Sequence, residues 1–210
     1  TIDEHVSGSS TIVGQANAQG AITIGAARYL YTPEYGVSPA TPESYSSLGG
    51  SSVVVNNVLT VRNKPDYVAP DGGNTTVDFG SDYDMDGLPN FFGTSAAAPH
   101  AAATAALILG SHQKFQSNQP FAKAELISLL NSTSADMLAP GFDFKTGHGL
   151  IQADDAIRTF AAPKPHIKNI AVPAGTNIGS QQFTASIHGN YLSQTTSIYL
   201  DNTLLTSTFV

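Results

Sequence analysis

The stretch FFGTSAAAPHAAATAALILG, residues 91–110, constrains the fold of this chain more than any other part of the sequence. Alanine, leucine and isoleucine fill nearly every position from Ala96 to Leu109, which predicts a helix, and Gly110 is expected to end it. A helix that is apolar on all sides belongs in the centre of a protein. The sequence therefore predicts a domain packed around a buried, alanine-rich helix.

Short apolar runs before this helix predict strands, and the segments after it predict further helices. Strands are expected over 21–26, over 52–61 and within 64–72, because turn residues bound each of these runs. A second helix is expected to start near Pro120, since proline suits a first helical turn. A third is expected over 152–160.

The composition changes at Ala161-Ala-Pro-Lys-Pro165, which reads as a stiff linker. Beyond it, short apolar segments separated by Gly/Asn turns predict strands up to residue 210. They fit the opening half of a β-sandwich, which normally needs about seven strands in roughly 100 residues.

Charge and composition exclude several classes of function. The net charge is -7, with 9 Lys and Arg in all and no basic run, so no nucleic-acid partner is expected, because binding phosphates needs clustered cations. No apolar run reaches the roughly 18 residues of a membrane span. Cysteine is absent, which excludes disulfides and thiolate metal sites. The low charged fraction, 12%, suits an exported protein, so a secreted or cell-surface location is expected.

Ser95 is the candidate nucleophile. Gly93 would let the backbone approach a substrate closely. Ser95 would then lie at the N-terminus of the buried helix, where free N–H groups and the helix dipole favour negative charge. Pro99 is expected to cost little, because N–H groups of the first turn lack partners within a helix. The alternative is that these small residues serve only close packing of the helix.

This stretch resembles the nucleophile motif of the subtilisin-like serine peptidases, G-T-S-x-x-x-P-H before an Ala-rich helix. The matching residues are Gly93, Thr94, Ser95, Pro99 and His100, whereas Ala96 stands where methionine is frequent. Further segments resemble family motifs in the same order over about residues 7–160. They are AITIGA at 21–26, YSSLG at 45–49, KPDYVAP at 64–70 and GHGLI at 147–151.

The resemblance implies an α/β fold with a partial parallel sheet and flanking helices, followed by an incomplete β-sandwich-like region. Residues 1–162 would be the C-terminal part of a catalytic domain, and 163–210 part of an accessory β-domain, Ig-like or similar. The implied activity is that of a serine endopeptidase, which cleaves protein or peptide substrates through an acyl-enzyme on Ser95.

The other catalytic residues of the family have no counterpart in this sequence. The family runs Asp, His, Ser along the chain, yet no H-G-T-H motif occurs here, and no histidine lies between Ser95 and either D-x-G tripeptide, at 71–73 or 78–80. His100 follows Ser95 by about 500° of helix rotation, so the two do not share a face and His100 is interpreted as structural. The remaining histidines lack the context: His5, His112, His148, His166 and His188.

The oxyanion asparagine of the family is also missing from these residues. It belongs to a G-N segment upstream of the loop at 9–17, whereas Asn17 lies at the end of that loop, so Asn17 is not a substitute. We expect the missing N-terminal half of the same domain to supply the aspartate, the histidine and the asparagine. The chain alone is therefore expected to be inactive.

Asp82, Asp84 and Asp86 form a candidate calcium site. In DYDMDG the carboxylates alternate before Gly87, as in the first half of an EF-hand loop. The twelfth position is Gly93, so the usual bidentate glutamate is absent. Calcium would have a structural role here, fixing the strand that leads into Ser95. The alternative is a solvated turn without a metal.

Two other functions fit parts of the sequence. One is a non-catalytic binding or adhesion module on a peptidase-derived scaffold, with the β-region holding carbohydrate or protein; the retained Ser95 argues against it. The other is a sedolisin-like peptidase, which shares G-T-S-x-x-x-P. His100 and the KPDYVAP segment favour the subtilisin-like family.

Overall fold

The computed structural model describes residues 11–78, 80, 82–116, 119–176 and 182–210. These form two compact units, of which the first ends at Ala161 and the second begins at Ala162. The strands of the first unit are β1 (Ile24–Arg28), β2 (Ser52–Val55), β3 (Val58–Val61), β4 (Tyr67–Asp71), β5 (Gly73–Asn74) and β6 (Asn90–Phe91). Its helices are α1 (Thr94–Phe115), α2 (Lys123–Thr133) and α3 (Ala153–Arg158). His5 lies outside the described residues.

Strands β1 and β4 form the parallel core of the first unit. Their register pairs Ile24 with Tyr67 at one end and Arg28 with Asp71 at the other. Short apolar residues fill the middle of both strands and are fully buried, because helices or loops cover both faces of a parallel pair. This confirms the strand predicted within 64–72, while the strand predicted at 21–26 begins at Ile24 and extends to Arg28.

The prediction of one strand over 52–61 was wrong. Strands β2 and β3 form an antiparallel hairpin in which Val55 pairs with Val58. The two residues between them, Asn56 and Asn57, have φ of 50° and 62°, the conformation of a two-residue hairpin turn. Asparagine adopts this left-handed conformation more readily than most residues, so the Asn-Asn pair breaks the valine-rich run in two.

Helix α1 packs against β1, β4 and α3, but only one of its faces is covered. Ala97 and Ile108 are fully buried, whereas Leu107 and Leu109 are 58% and 41% exposed. The predicted burial on all sides was therefore wrong for the part of the chain that the structure describes. The helix also runs beyond Gly110, because a single internal glycine costs only about 1 kcal/mol relative to alanine.

The start of α1 at Thr94 places Pro99 in the second helical turn. The N–H that proline lacks is therefore one that would pair with the carbonyl of Ser95, four residues earlier. The expectation that Pro99 falls among the unpaired groups of the first turn was wrong, because the helix begins two residues before the alanine run.

Helix α3 lies within the predicted range 152–160, whereas α2 begins at Lys123, so Pro120 lies before the helix and not in its first turn as predicted. The Glu125 side chain accepts a hydrogen bond of 2.6 Å from the Ala122 N–H and so closes the first turn of α2. The Tyr67 hydroxyl donates to Asn131 Oδ1 at 2.6 Å and thereby ties β4 to α2. The first unit is thus mixed α/β, with a parallel pair of strands flanked by helices, as expected.

Among the described residues of the second unit, the regular elements are all strands. They are β7 (His166–Ala171), β8 (Ser186–Asn190), β9 (Tyr199–Leu200) and β10 (Thr203–Leu204). Strand β7 pairs antiparallel with β8, and β9 with β10, among the residues described. None of the described helices has the length and apolar character needed to cross a membrane.

Candidate active site

Ser95 lies in the first turn of α1, and its side chain is exposed. The chain enters the helix through Gly93, whose φ of 103° favours glycine. Neither the Oγ nor the backbone N–H of Ser95 has a hydrogen-bond partner among the residues that the structure describes. A hydroxyl and an unpaired amide are therefore both presented to solvent at the N-terminus of a 22-residue helix.

The first turn of α1 has the electrostatics of an anion site. The N–H groups at the start of a helix lack acceptors within the helix, and the aligned peptide dipoles amount to about half a positive charge there. An oxygen that gains negative charge next to Ser95 would meet the Ser95 N–H. The arrangement suits a reaction in which a carbonyl oxygen becomes an oxyanion.

Three hydrogen bonds hold the chain just before α1 against the end of β4. The Gly93 N–H donates to Asp71 Oδ2 at 2.7 Å, and the Gly72 N–H donates to the Phe91 carbonyl at 2.8 Å. The buried Asn90 amide donates to the Gly72 carbonyl at 3.0 Å. Strand β4 thus fixes the segment from which Ser95 projects.

Asp71 is the central residue of this junction, and it was not predicted from the sequence. Its side chain is fully buried, and its Oδ2 accepts from both the Gly93 N–H and the Tyr45 hydroxyl. Burial, then the hydrogen bond to Asp71, raises the pKa of Tyr45. Burial, then the charge of Asp71, raises the pKa of Glu43. The available signal was a charged residue at the end of a buried apolar strand.

None of the described histidines hydrogen-bonds to Ser95 Oγ. His100 Nδ1 lies 2.8 Å from the Ala96 carbonyl, and since a carbonyl only accepts, this nitrogen carries the proton. This contact within α1 agrees with a structural role for His100. His112 stacks on Phe121, and His148 lies beside Tyr67.

The remaining candidate histidines and Asn17 lie elsewhere. His166 and His188 belong to strands of the second unit. The Asn17 amide donates to the Ser51 carbonyl at 3.5 Å rather than towards α1. Among the described residues, neither Asn17 nor any of these histidines forms a hydrogen bond with Ser95.

A cavity of about 170 Å³ opens beside Thr94, the residue before Ser95. Ile12, Ile24, Gly25 and Ser46 are among the residues that line it. Its volume equals that of roughly five or six water molecules. A larger cavity of about 420 Å³ lies along the β2–β3 hairpin and includes no residue of α1, so the smaller one is relevant to Ser95.

The three aspartates of the DYDMDG loop converge. One carboxylate oxygen from each of Asp82, Asp84 and Asp86 lies within 4.8 Å of the others. Asp82 Oδ1 and Oδ2 accept from the N–H groups of Asp86 and Gly87 at 3.2 and 2.9 Å, which curls the loop around them. Gly87 has a φ of 92°, as the tight turn of a calcium loop requires.

The partners of Asp84 connect this loop to the chain before α1. Its Oδ2 accepts from the Tyr29 hydroxyl and from Asn90 Nδ2. The hydrogen bond from Tyr29 is the main cause of the lowered pKa of Asp84, and it raises the pKa of Tyr29 to about 12. Asp84 Oδ1 is buried and has no hydrogen-bond partner among the described residues. Three converging carboxylates, one with an unsatisfied oxygen, fit a hard divalent cation.

Comparisons with known proteins agree with this geometry. Residues 4–149 match the family model described as Subtilase family. The chain is 33% identical over 113 residues to fervidolysin of Fervidobacterium pennivorans, a match that covers 52% of this chain and 15% of that protein.

Two solved protease structures share the fold. One is a lanthipeptide protease, with a TM-score of 0.51 and 20% identity over 70% of this chain and 43% of that chain. The other is the CspB protease of Clostridium perfringens, with a TM-score of 0.51 and 20% identity over 71% of this chain and 29% of that chain. The chain thus spans less than half the length of each of these relatives.

Proposed function

This chain belongs to the subtilase family, and from that premise we propose that Ser95 is the nucleophile of a serine endopeptidase. Ser95 Oγ attacks the carbonyl carbon of the scissile peptide bond while its proton passes to a general base. The carbonyl oxygen becomes an oxyanion, which accepts a hydrogen bond from the Ser95 N–H. Collapse of this intermediate expels the amine, protonated by the same base, and leaves an acyl-enzyme that water hydrolyses.

The observation that carries this proposal is the state of Ser95 at the start of α1. Its hydroxyl is exposed and its amide has no acceptor within the described residues. A serine that served only helix packing would turn its side chain to a neighbour, as the buried Ala96 and Ala97 do. The family match over residues 4–149 includes the stretch around Ser95 and so supports the proposal.

The general base and the second oxyanion donor are proposed to come from polypeptide outside these 210 residues. In support, the H-G-T-H motif does not occur in the sequence, and no described histidine hydrogen-bonds to Ser95 Oγ. Loss of the base alone costs on the order of 10⁶ in turnover, and loss of one oxyanion donor about 10²–10³. The chain alone is therefore proposed to be inactive.

The substrates of a subtilase-family peptidase are proteins. We propose that the substrate side chain next to the scissile bond enters the cavity beside Thr94. A volume of about 170 Å³ admits a single side chain of moderate size. The low charged fraction of the sequence supports a location outside the cell, either secreted or at the cell surface.

Labelling with a fluorophosphonate, which reacts with activated serines, tests the assignment of Ser95. We expect the full-length gene product to be labelled, Ser95→Ala in that product to be unlabelled, and the 210-residue chain to react at least about 10³-fold more slowly. Ser132→Ala, at an exposed serine on α2, is the control and should label like the unmodified protein.

If the Ser95→Ala product is still labelled, Ser95 is not the nucleophile. A full-length product that is never labelled, although folded by circular dichroism, would favour the non-catalytic binding or adhesion module.

We also propose that Asp82, Asp84 and Asp86 hold a structural calcium ion. The buried, unpartnered Asp84 Oδ1 and the convergence of the three carboxylates support it. Through Asn90, which donates to both Asp84 and the Gly72 carbonyl, the bound ion would hold the chain that leads to Gly93. Calcium has no part in the chemistry.

Thermal unfolding of the chain, followed with and without millimolar calcium, tests this site. At about 100 times the dissociation constant the gain is about 2.7 kcal/mol, which shifts the midpoint by several degrees in a unit of this size. Asp84→Asn should abolish most of the shift, whereas Asp154→Asn, at an exposed carboxylate on α3, should retain it. An equal midpoint with calcium and with a chelator contradicts the proposal.

A further inference from the structure

We propose that Asp71 is a positioning residue for Ser95: by holding the Gly93 N–H it fixes the first turn of α1, and with it the nucleophile, in the orientation that the reaction needs. The inference rests on the proposed function of Ser95. It assigns to Asp71 no contact with the substrate.

The contacts of Asp71 run to the segment that carries Ser95. Asp71 is the last residue of β4, and its Oδ2 accepts the Gly93 N–H at 2.7 Å. The Gly93 carbonyl accepts the Ala96 N–H of α1 at 2.8 Å, so the bond from the Gly93 N–H to Asp71 is the one that links this residue to β4. Ser95 follows two residues later, and any rotation about Gly93 therefore moves Ser95 Oγ.

If residue 71 served packing alone, a neutral hydrogen-bond acceptor would cost less folding free energy than this buried carboxyl group. Asp71 is 0% exposed, yet it forms no ion pair within the described residues, and its Oδ1 has no hydrogen-bond partner there. Arg28, opposite Asp71 in the strand pair, instead lies over the rings of Tyr31 and Phe92 at 5.6 and 5.2 Å from their centroids. A buried carboxyl group without a cation costs folding free energy, and such groups cluster at functional sites.

Tyr45 forms a second hydrogen bond to Asp71. Its hydroxyl donates to the same Oδ2 that accepts the Gly93 N–H. Tyr45 therefore helps to orient the Asp71 carboxyl group, which in turn holds Gly93. Tyr45 is 50% exposed, which means that removing its hydroxyl leaves the core intact. It therefore gives a second way to test Asp71 without touching the buried residue.

The proposal predicts a loss in kcat rather than in substrate binding. A misplacement of the nucleophile by about 1 Å costs on the order of 10²-fold. In the full-length gene product we expect Asp71→Ala to lower kcat about 30- to 100-fold, with KM changed by less than about threefold. Activity is expressed per active site, counted by fluorophosphonate titration, so that unfolded molecules do not enter the result.

Two further variants separate positioning from stability. Asp71→Asn keeps an acceptor for Gly93 and Tyr45 and changes only the oxygen that has no partner, so we expect kcat within about threefold of the unmodified protein. Tyr45→Phe should lower kcat about three- to tenfold. Because Tyr45 acts through Asp71, the double variant Tyr45→Phe/Asp71→Ala should be no slower than Asp71→Ala alone.

Asp143→Ala is the matched control. Asp143 also holds backbone N–H groups, those of Lys145 and Thr146 at 2.7 and 2.8 Å, but only within its own turn. We expect it to lower the unfolding midpoint and to leave kcat per active site unchanged.

The outcomes are distinct. If Asp71→Ala and Asp143→Ala both lower stability and neither lowers kcat per active site, Asp71 is structural and the proposal is overturned. If Asp71→Ala does not fold, Tyr45→Phe decides in the same way, since an unchanged kcat there overturns it. Activity that survives Ser95→Ala would instead refute the proposed function, independently of Asp71.

Discussion

Glu43 places a second carboxyl group close to Asp71, at the junction that precedes α1. Burial, and after it the charge of Asp71, raises the pKa of Glu43 above its ordinary value. The ionised form is therefore less favourable in the folded chain than in the unfolded one. The contribution of Glu43 to stability is fully present below its unfolded pKa of about 4.3 and is lost as the pH rises through the raised folded pKa.

Glu43→Gln should consequently stabilise the chain at neutral pH, because a neutral side chain no longer faces Asp71. The gain in unfolding midpoint should be positive at pH 7 and vanish below about pH 4, where Glu43 is protonated in both states. Glu34→Gln, at an exposed carboxylate, removes the same net charge and is the control. A gain that persists unchanged at low pH would show that the ionisation of Glu43 is not its source.

At this scale the sequence predicts residues that belong to contiguous motifs. Ser95 lies in G-T-S-x-x-x-P-H, and the three aspartates lie in one loop, so both groups could be singled out without a structure. Asp71 could not, because its partners, Gly93 and Tyr45, are 22 and 26 residues away along the chain. Long-range hydrogen bonds of a single side chain leave no periodic trace in a sequence.

At the scale of elements, the apolar composition of α1 predicts a helix but does not predict which of its faces is buried. An all-apolar pattern does not reveal which face meets the sheet, and alanine tolerates both environments. The adjacent residues Leu107 and Ile108 are 58% and 0% exposed. The hairpin at 52–61 was hidden for a related reason, since two asparagines interrupt a run that otherwise reads as one strand.

These two neighbours give a matched prediction about stability. Ile108→Ala removes a fully buried side chain and should cost about 2–5 kcal/mol of unfolding free energy. Leu107→Ala should stay within about 0.5 kcal/mol in the 210-residue chain, because its side chain is mostly in water. Denaturant unfolding of both variants measures the difference. Equal losses would mean that the exposed face of α1 is covered in solution.

At the scale of the whole molecule, the described chain consists of two compact units that meet in sequence at Ala161 and Ala162. The sequence predicted a linker at this place from its prolines alone. It also predicted the family, because five motifs in the right order identify subtilases more firmly than any one of them does. That residues 163–210 form an accessory β-domain stays a prediction.

All buried core residues of the described chain lie at or before Ala161, so the first unit should unfold independently of the second. A chain that ends at Ala161 should therefore show the same unfolding midpoint as the corresponding transition of the 210-residue chain, within about 2 °C. Differential scanning calorimetry on both chains makes the comparison. A lower midpoint after truncation would mean that residues beyond Ala161 stabilise the α/β unit.

Pro99 gives the placement of Ser95 one more consequence. Because proline cannot donate to the Ser95 carbonyl, the opening turn of α1 is tied to the rest of the helix by one bond fewer than usual. The orientation of Ser95 should therefore depend more on β4, to which Asp71 links Gly93, than on the rest of α1. Substitutions that disturb β4 should therefore displace Ser95 even when no residue of α1 is changed.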